Sequence, residues 1–461
     1  MTRSRLFAAA TALLVLGGCS SPGNTTQPPT GTSTTPAATS SIPPSSTATT
    51  PALTYPSDPP AGMGPAPLWE VESKGGYSGD DTTNGKMLVV SSRGGLFSVD
   101  GSGKLTRWGM EVEDGGPVLN DTIAAFVTVK RDQGDGLTKA PDPESFVNIV
   151  DLATGAVLHT TPIAATDPER QPEMRTATGW LVADPEGINW GPEMALRGQE
   201  SIPHSVGLVH PDGTVTPLED TTRTLLCGPG GETCSMLGAP VYATDSGIVL
   251  RQFEKEDGPS IIATDTWDST QFAPPGASPY YAYPTNAGNG RMVLTYGIDP
   301  TIKETLGYFD PLEVKFTGSI SVLVDVTTGK KLATACSTDH SSPWAGRGGG
   351  ALIESPNRQF VTTADTVFDT GTGTARCYPP ETLITDLTIY GVGDDGTIYS
   401  DGFTIPLRGG PIAGRSQLTV RAVLTGGIAI LDYNGRFYGT QLATVGMPLG
   451  ANTAHTTTPL Q

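Results

Sequence analysis

From about Pro67 onward, apolar residues fall in short runs broken every few positions by Gly, Asp, Asn or Pro. Lys86-Met-Leu-Val-Val-Ser91, Ile123-Ala-Ala-Phe-Val-Thr-Val129, Gly247-Ile-Val-Leu-Arg251 and Arg291-Met-Val-Leu-Thr-Tyr296 are typical. Runs of this length, rich in β-branched and aromatic residues and bounded by turn formers, predict strands. No stretch carries the 3.6-residue apolar period of a long amphipathic helix, so the expected class is all-β. Two segments stand outside this pattern. Leu6 to Leu16 is apolar but for Thr11, and Ser20 to about Pro60 has almost no large apolar residue.

A hairpin signature recurs through the strand-rich region. Asn148-Ile-Val-Asp-Leu-Ala-Thr-Gly-Ala-Val-Leu158 matches Val322-Leu-Val-Asp-Val-Thr-Thr-Gly-Lys-Lys-Leu332, and Thr366-Val-Phe-Asp-Thr-Gly-Thr-Gly-Thr-Ala375 is a third copy. Shortened copies are Leu96–Lys104, Leu208–Val215 and Ile430–Phe437, with weaker ones at Val392–Ile398 and Ala263–Ser269. In Asp-x-x-Thr-Gly the aspartate accepts backbone N–H groups across the turn and the glycine takes positive φ at the bulge. Most copies lie about 45 to 60 residues apart, the length of one four-stranded blade. These hairpins resemble the pyrroloquinoline-quinone-type (PQQ-like) β-propeller repeat. That resemblance implies a β-propeller of seven or eight four-stranded blades over residues 67–442. The repeat's tryptophan, four residues after the glycine, is replaced here by His159, Ala333 and Cys377, while Trp108 is offset by one. A pair of packed β-sandwiches is the alternative architecture.

The N-terminus predicts export. Arg3 and Arg5 precede the apolar run, which is too short to span a bilayer and has the form of a signal peptide. It ends in Leu16-Gly17-Gly18-Cys19. This stretch resembles the bacterial lipobox, which implies cleavage before Cys19 and a thioether-linked diacylglycerol on its sulfur. Two acyl chains supply stable anchoring. The expected organisation is a signal peptide (1–18), a lipidated Cys19 with a disordered Ser/Thr/Pro tether (19–66), the propeller, and a flexible tail (443–461). The tether is too poor in large apolar residues to form a core, and its prolines keep it extended. It is similar to tracts that carry mannose in actinobacterial lipoproteins. The expected location is the outer face of the cell membrane, with the bilayer a partner through Cys19.

The chain has 28 basic and 47 acidic residues; losing Arg3 and Arg5 leaves a mature net charge of −21. That surface repels nucleic acid and anionic headgroups, so no nucleic-acid partner is expected. Setting Cys19 aside leaves four cysteines, an even number suited to an oxidising compartment. Cys227 and Cys234 bracket a Gly/Pro loop. Cys336 and Cys377 occupy what read as equivalent strands of neighbouring repeats. The expected disulfides are Cys227–Cys234 and Cys336–Cys377. The spacings and the scarcity of histidine do not suit zinc.

Chemistry is thinly represented. The quinone-dependent dehydrogenases nearest this repeat stack their cofactor on a vicinal disulfide or a Trp, and no adjacent Cys-Cys pair exists here. The only histidines are His159, His204, His210, His340 and His455. Val367-Phe-Asp-Thr-Gly-Thr372 looks like an aspartic-protease strand, with Thr244-Asp-Ser-Gly247 as its conceivable partner. However, Asp369 is in register with the turn aspartates Asp151 and Asp325. Asp80–Asn84, Asp132–Asp135 and Asp394-Asp395 are acidic loops able to offer oxygens to Ca²⁺, but none has the EF-hand order. Gly101-Ser-Gly-Lys104 lacks the earlier glycine of a P-loop. No catalytic residue, metal ligand or cofactor is therefore nominated.

The expected function is a binding or scaffolding propeller for a cell-envelope protein or glycan. An extracytoplasmic quinone-dependent or glycan-active enzyme is the alternative. The long connections at Arg131–Glu144, Ile298–Phe316 and Thr338–Gly350 are the expected contact regions. Tyr308, Phe309 and Trp344 are the candidate partner-binding anchors, because large aromatics dominate interface energies.

Overall fold

The structure is a computed structural model. It describes residues 52–73, 77–92, 95–108, 118–130, 144–163, 174–175, 179–183, 206–218, 221, 237–244, 247–253, 261–263, 267–285, 290–299, 301–303, 313–338, 352–363, 366–377, 389–400, 403–407, 412–413 and 416–443.

Strand β1 (Trp69–Glu72) is followed by blade 1, formed by β2 (Tyr77–Thr83), β3 (Met87–Ser92), β4 (Gly95–Asp100) and β5 (Leu105–Arg107). Blade 2 is β6 (Val118–Leu119), β7 (Ile123–Lys130), β8 (Glu144–Asp151) and β9 (Val157–Ile163). Blade 3 is β10 (Met174–Arg175), β11 (Trp180–Ala183), β12 (Val206–Val209) and β13 (Val215–Pro217). Blade 4 has three strands, β14 (Leu237–Thr244), β15 (Gly247–Phe253) and β16 (Ile261–Ala263), and a single bridge from Ile262 to Asp268 stands where its fourth would be.

Blade 5 is β17 (Ala277–Thr285), β18 (Arg291–Ile298), β21 (Gly318–Asp325) and β22 (Lys330–Thr338); the small hairpin β19 (Thr301–Lys303) and β20 (Glu313–Lys315) stands apart from it. Blade 6 is β23 (Ile353–Glu354), β24 (Phe360–Thr362), β25 (Thr366–Asp369) and β26 (Thr374–Cys377). Blade 7 is β27 (Ile389–Val392), β28 (Ile398–Ser400), β29 (Phe403–Ile405) and β30 (Ile412–Ala413). Blade 8 combines both ends of the fold: β31 (Thr419–Leu424), β32 (Ile428–Tyr433) and β33 (Arg436–Gln441) take β1 as their fourth strand, with Trp69 opposite Gly439.

The blades form a closed ring, an eight-bladed β-propeller. First strands of successive blades touch, β2 with β6, β6 with β10, β10 with β14, β23 with β27 and β27 with β31, so these strands lie innermost. β31 of the last blade returns to β3 of the first. Apolar layers fill the spaces between blades. Leu88, Val90, Phe97 and Val99 pack against Ala422, Leu424, Ile430 and Phe437 of blade 8. The intervening Val89, with Leu96, faces Ala124, Phe126 and Val150 of blade 2. Side chains alternate between the two sides of a strand, and both sides meet a neighbouring blade. That is why Met87-Leu-Val-Val90 reads as a continuous apolar run.

The hairpin chemistry expected from sequence is present. Asp151 Oδ1 accepts from Thr154 N (2.8 Å) and Thr154 Oγ1 (2.6 Å). Asp325 accepts from Thr328 N (2.8 Å) and Asp100 from Ser102 N (2.8 Å). Gly103, Gly155, Gly213, Gly329 and Gly373 all have positive φ. These five turns join the third and fourth strands of their blades. Two copies do not. The turn at Asp395 joins the first two strands of blade 7, and that at Asp432 the middle strands of blade 8. Short-range turn chemistry is the same at any hairpin, so the motif does not mark blade position.

Residues 52–66, assigned by composition to the tether, pack on blades 7 and 8. Tyr55 stacks edge-on against Tyr438, Met63 bridges Leu442, and Ala61 O accepts from Thr404 Oγ1 at 2.8 Å. A segment average hides Tyr55 and Met63, which pack against the apolar cluster shared by blades 7 and 8. Residues 1–51 and 444–461, including Cys19, lie outside the described residues.

Candidate binding face

In an antiparallel blade, successive connections alternate between the two ends of the strands. The first-to-second and third-to-fourth turns therefore share one end of the ring. The second-to-third connections and the links between blades share the other. The two ends differ sharply. Every connection at the first end spans six residues or fewer. Every connection longer than six belongs to the second, among them 131–143, 164–173, 184–205, 218–236, 339–352 and 378–388. The stretch between β18 and β21, which contains the β19–β20 hairpin, belongs there too.

The three connections singled out from sequence thus leave the blades at this same end. Lys130 and Glu144, paired across β7 and β8, stand at the foot of the first, their charges 3.7 Å apart. Tyr308, Phe309 and Trp344 lie outside the described residues. Several described side chains near this end are aromatic or basic. Tyr280 is exposed, and Tyr281 meets Phe316 edge-on with ring centres 5.6 Å apart. Arg251 of blade 4 lies over Tyr283 of blade 5 at 5.3 Å, and Arg421 of blade 8 over Tyr390 of blade 7 at 5.4 Å, both within cation–π range. Arg421 also pairs with Asp432 at 3.1 Å.

The short-turn end absorbs much of the suspected chemistry. Asp394 Oδ1 accepts from Asn357 N (2.8 Å), and Asp395 Oδ1 from Thr397 N (3.0 Å), so this acidic pair serves turns and the junction of blades 6 and 7. Asp80 and Asp81 lie on β2; Asp132 and Asp135 are outside the described residues. Among the described residues no group of three or more His, Cys, Asp or Glu is arranged to hold a metal.

Asp369 accepts from Gly371 N and Gln359 Nε2, both at 2.9 Å. Its partial burial pushes the carboxyl pKa up, but the bonds from Gln359, Gly371 and Thr372 outweigh that and hold it below the usual value. It is a turn aspartate, ionised as a turn acceptor must be. The bond from the Thr154 hydroxyl depresses Asp151 in the same way. His210 Nε2 lies 2.8 Å from Thr216 Oγ1 within its own hairpin, and His204, His340 and His455 are outside the described residues.

A set of interblade contacts on the third-to-fourth-strand glycines has no counterpart in the sequence expectations. Trp69 Nε1 donates to Gly101 O at 2.9 Å, and its ring covers Gly103, where a Cβ would lie 2.7 Å away. Trp108 covers Gly155 and Trp267 covers Gly329, with hypothetical Cβ contacts of 2.8 and 2.5 Å; Trp267 Nε1 donates to Val326 O at 2.9 Å. His159 takes the same position over Gly213. Between blades 5 and 6, β22 and β26 pair in parallel at Thr334 and Thr374. Cys377, three residues beyond Thr374, is disulfide-bonded. Cys227 and Cys234 lie outside the described residues, as does the side chain of Cys336.

No protein-family model matches the chain, and no curated protein matches it. Among solved structures it is similar to the Dos1 propeller, at 8% identity over 82% of this chain and 95% of that one, with a TM-score of 0.39. It is also similar to BamB of Moraxella catarrhalis, at 13% identity over 82% and 89% of the two chains, with a TM-score of 0.29. The eight-bladed propeller itself rests on the sheet order and the closed ring of blade contacts.

Proposed function

We propose that this protein is a lipid-anchored, extracytoplasmic propeller that binds or scaffolds a protein or glycan of the cell envelope through its long-connection end. The observation that carries the reading is the one-sided distribution of connection length. Turns of two to six residues are what closing a blade requires. Long connections lose entropy on ordering, and compact domains use them chiefly where they serve recognition. Tyr308, Phe309 and Trp344 fall in two of these connections and are the anchors, the aromatic residues that desolvate against a partner. The membrane attachment point is Cys19, supported by the basic start, the apolar run and Leu-Gly-Gly-Cys. Cys336–Cys377 and Cys227–Cys234 are the disulfides, the first supported by the parallel step between β22 and β26.

The test is affinity capture from native envelope, comparing wild type with Trp344→Ala and Tyr308→Ala. The expected result is loss of the captured partner with thermal unfolding nearly unchanged. Lowered stability with undiminished capture would mean that these rings only pack.

A further inference from the structure

The turns at the short end bond to one another around the ring. Asn84 Nδ2 donates to Asn120 O (2.8 Å) between blades 1 and 2, and Thr425 N to Gly85 O (2.6 Å) between blades 8 and 1. Arg291 Nη1 donates to Arg358 O (2.6 Å) between blades 5 and 6, and Asn357 N to Asp394 Oδ1 (2.8 Å) between blades 6 and 7. These are neighbours. Two further contacts are not. Arg358 Nη2 of blade 6 donates to Asp121 Oδ1 of blade 2 at 3.2 Å. Pro356 of blade 6 lies against Gly85 of blade 1, whose hypothetical Cβ would be 3.4 Å from Pro356 Cα.

In a ring of eight, blade 2 is diametrically opposite blade 6, and blade 1 is three steps from it. A contact between opposite blades has to cross the axis. The conformation of the turn is consistent with a shape held for that purpose. Arg358 is a non-glycine residue at φ +61°, in the left-handed region, where a side chain costs about 1–2 kcal/mol. Its backbone is fixed by Arg358 N to Ser355 O (2.8 Å), and Asn357 Oδ1 accepts from both Ser355 Oγ (2.7 Å) and Gln359 N (2.9 Å). Asp121 also meets Lys86 of blade 1, 3.6 Å away, so one carboxylate gathers cations from two separated blades.

We infer that the Ser355–Gln359 turn is a latch across the propeller axis. It shuts the central channel at the short-turn end and ties blade 6 to blades 1 and 2. The channel is then a blind cavity whose single mouth is the long-connection end. This stands on the turn contacts alone and survives if the proposed binding role fails.

Because Arg358 and Asp121 are about half exposed, their pairing energy is small, and the test reads geometry. The full chain carrying Arg358→Cys and Asp121→Cys, treated with a short bis-maleimide, should give an internally cross-linked monomer that migrates faster on a denaturing gel. Neither single variant should. Absence of the internal cross-link in the folded double variant overturns the latch. In a second arm, residues 355–359 are replaced by Asn-Gly and hydrogen exchange is followed by mass spectrometry. Exchange should rise severalfold at 84–86 and 120–122, on blades that do not adjoin blade 6. A rise confined to blades 5 and 7 would overturn the tie across the axis.

Discussion

At the scale of the residue, the recurrent event is an indole laid on a glycine of the next blade. Gly103 and Gly426 have nearly the same φ, +83° and +82°, yet Gly103 lies under Trp69 while a Cβ at Gly426 would meet nothing within 4 Å. Alanine at either position pays the left-handed penalty, about 1–2 kcal/mol. At Gly103 the methyl also meets a ring at 2.7 Å, and displacing it adds an overpacking cost of about 1–3 kcal/mol. Gly103→Ala should therefore lower unfolding stability by clearly more than Gly426→Ala, measured by denaturant titration of both. Equal losses would mean that the indole does not hold the hairpin. The Asp-x-x-Thr-Gly turns were legible because every participating atom is local. The docking was not. Trp108 sits one place off the family position, Trp267 covers a glycine 62 residues later, and Trp69 meets Gly103 from the strand that closes the last blade.

At the scale of the element, strand identity was readable and strand position was not. A blade strand packed on both sides loses the polar/apolar alternation that would mark a solvent face. The two hairpins at Asp395 and Asp432 look like the others although they connect different strands. The blade 5–blade 6 junction is built differently. Ala333 occupies the Trp place on β22, and the outer strands β22 and β26 come together in parallel there. Non-reducing peptide mapping should link Cys336 to Cys377, and replacing both by serine should cost about 3–4 kcal/mol, as expected for closing a loop of some forty residues. Cys377 linked to any other cysteine would refute the staple.

At the scale of the whole molecule, the ring depends on contacts between residues far apart in sequence. β1 completes a blade whose other strands lie more than 340 residues later, and Tyr55 and Met63 extend that seam across blades 7 and 8. The segment leading toward Cys19 therefore enters a fixed structure from residue 52 onward. With Cys19 as the attachment point, Cys19→Ala should transfer the protein from the detergent phase to the aqueous phase in Triton X-114 partitioning, with its unfolding transition intact. Continued membrane partitioning by that variant would place the anchor elsewhere. Among the described residues, no helix is long and apolar enough to cross a membrane.

The sequence by itself determined what short-range forces decide: that the chain from about residue 67 makes strands, where its tight turns fall, which aspartates and glycines build them, and that the repeat is blade-sized. Tertiary structure alone decided the number of blades, the swap of β1 into blade 8, the indoles over distant glycines, and the Arg358 turn reaching Asp121. Each of these joins groups through closure of the ring. Local propensity is blind to that closure, because what favours it is burial between surfaces that meet only once all eight blades are in place.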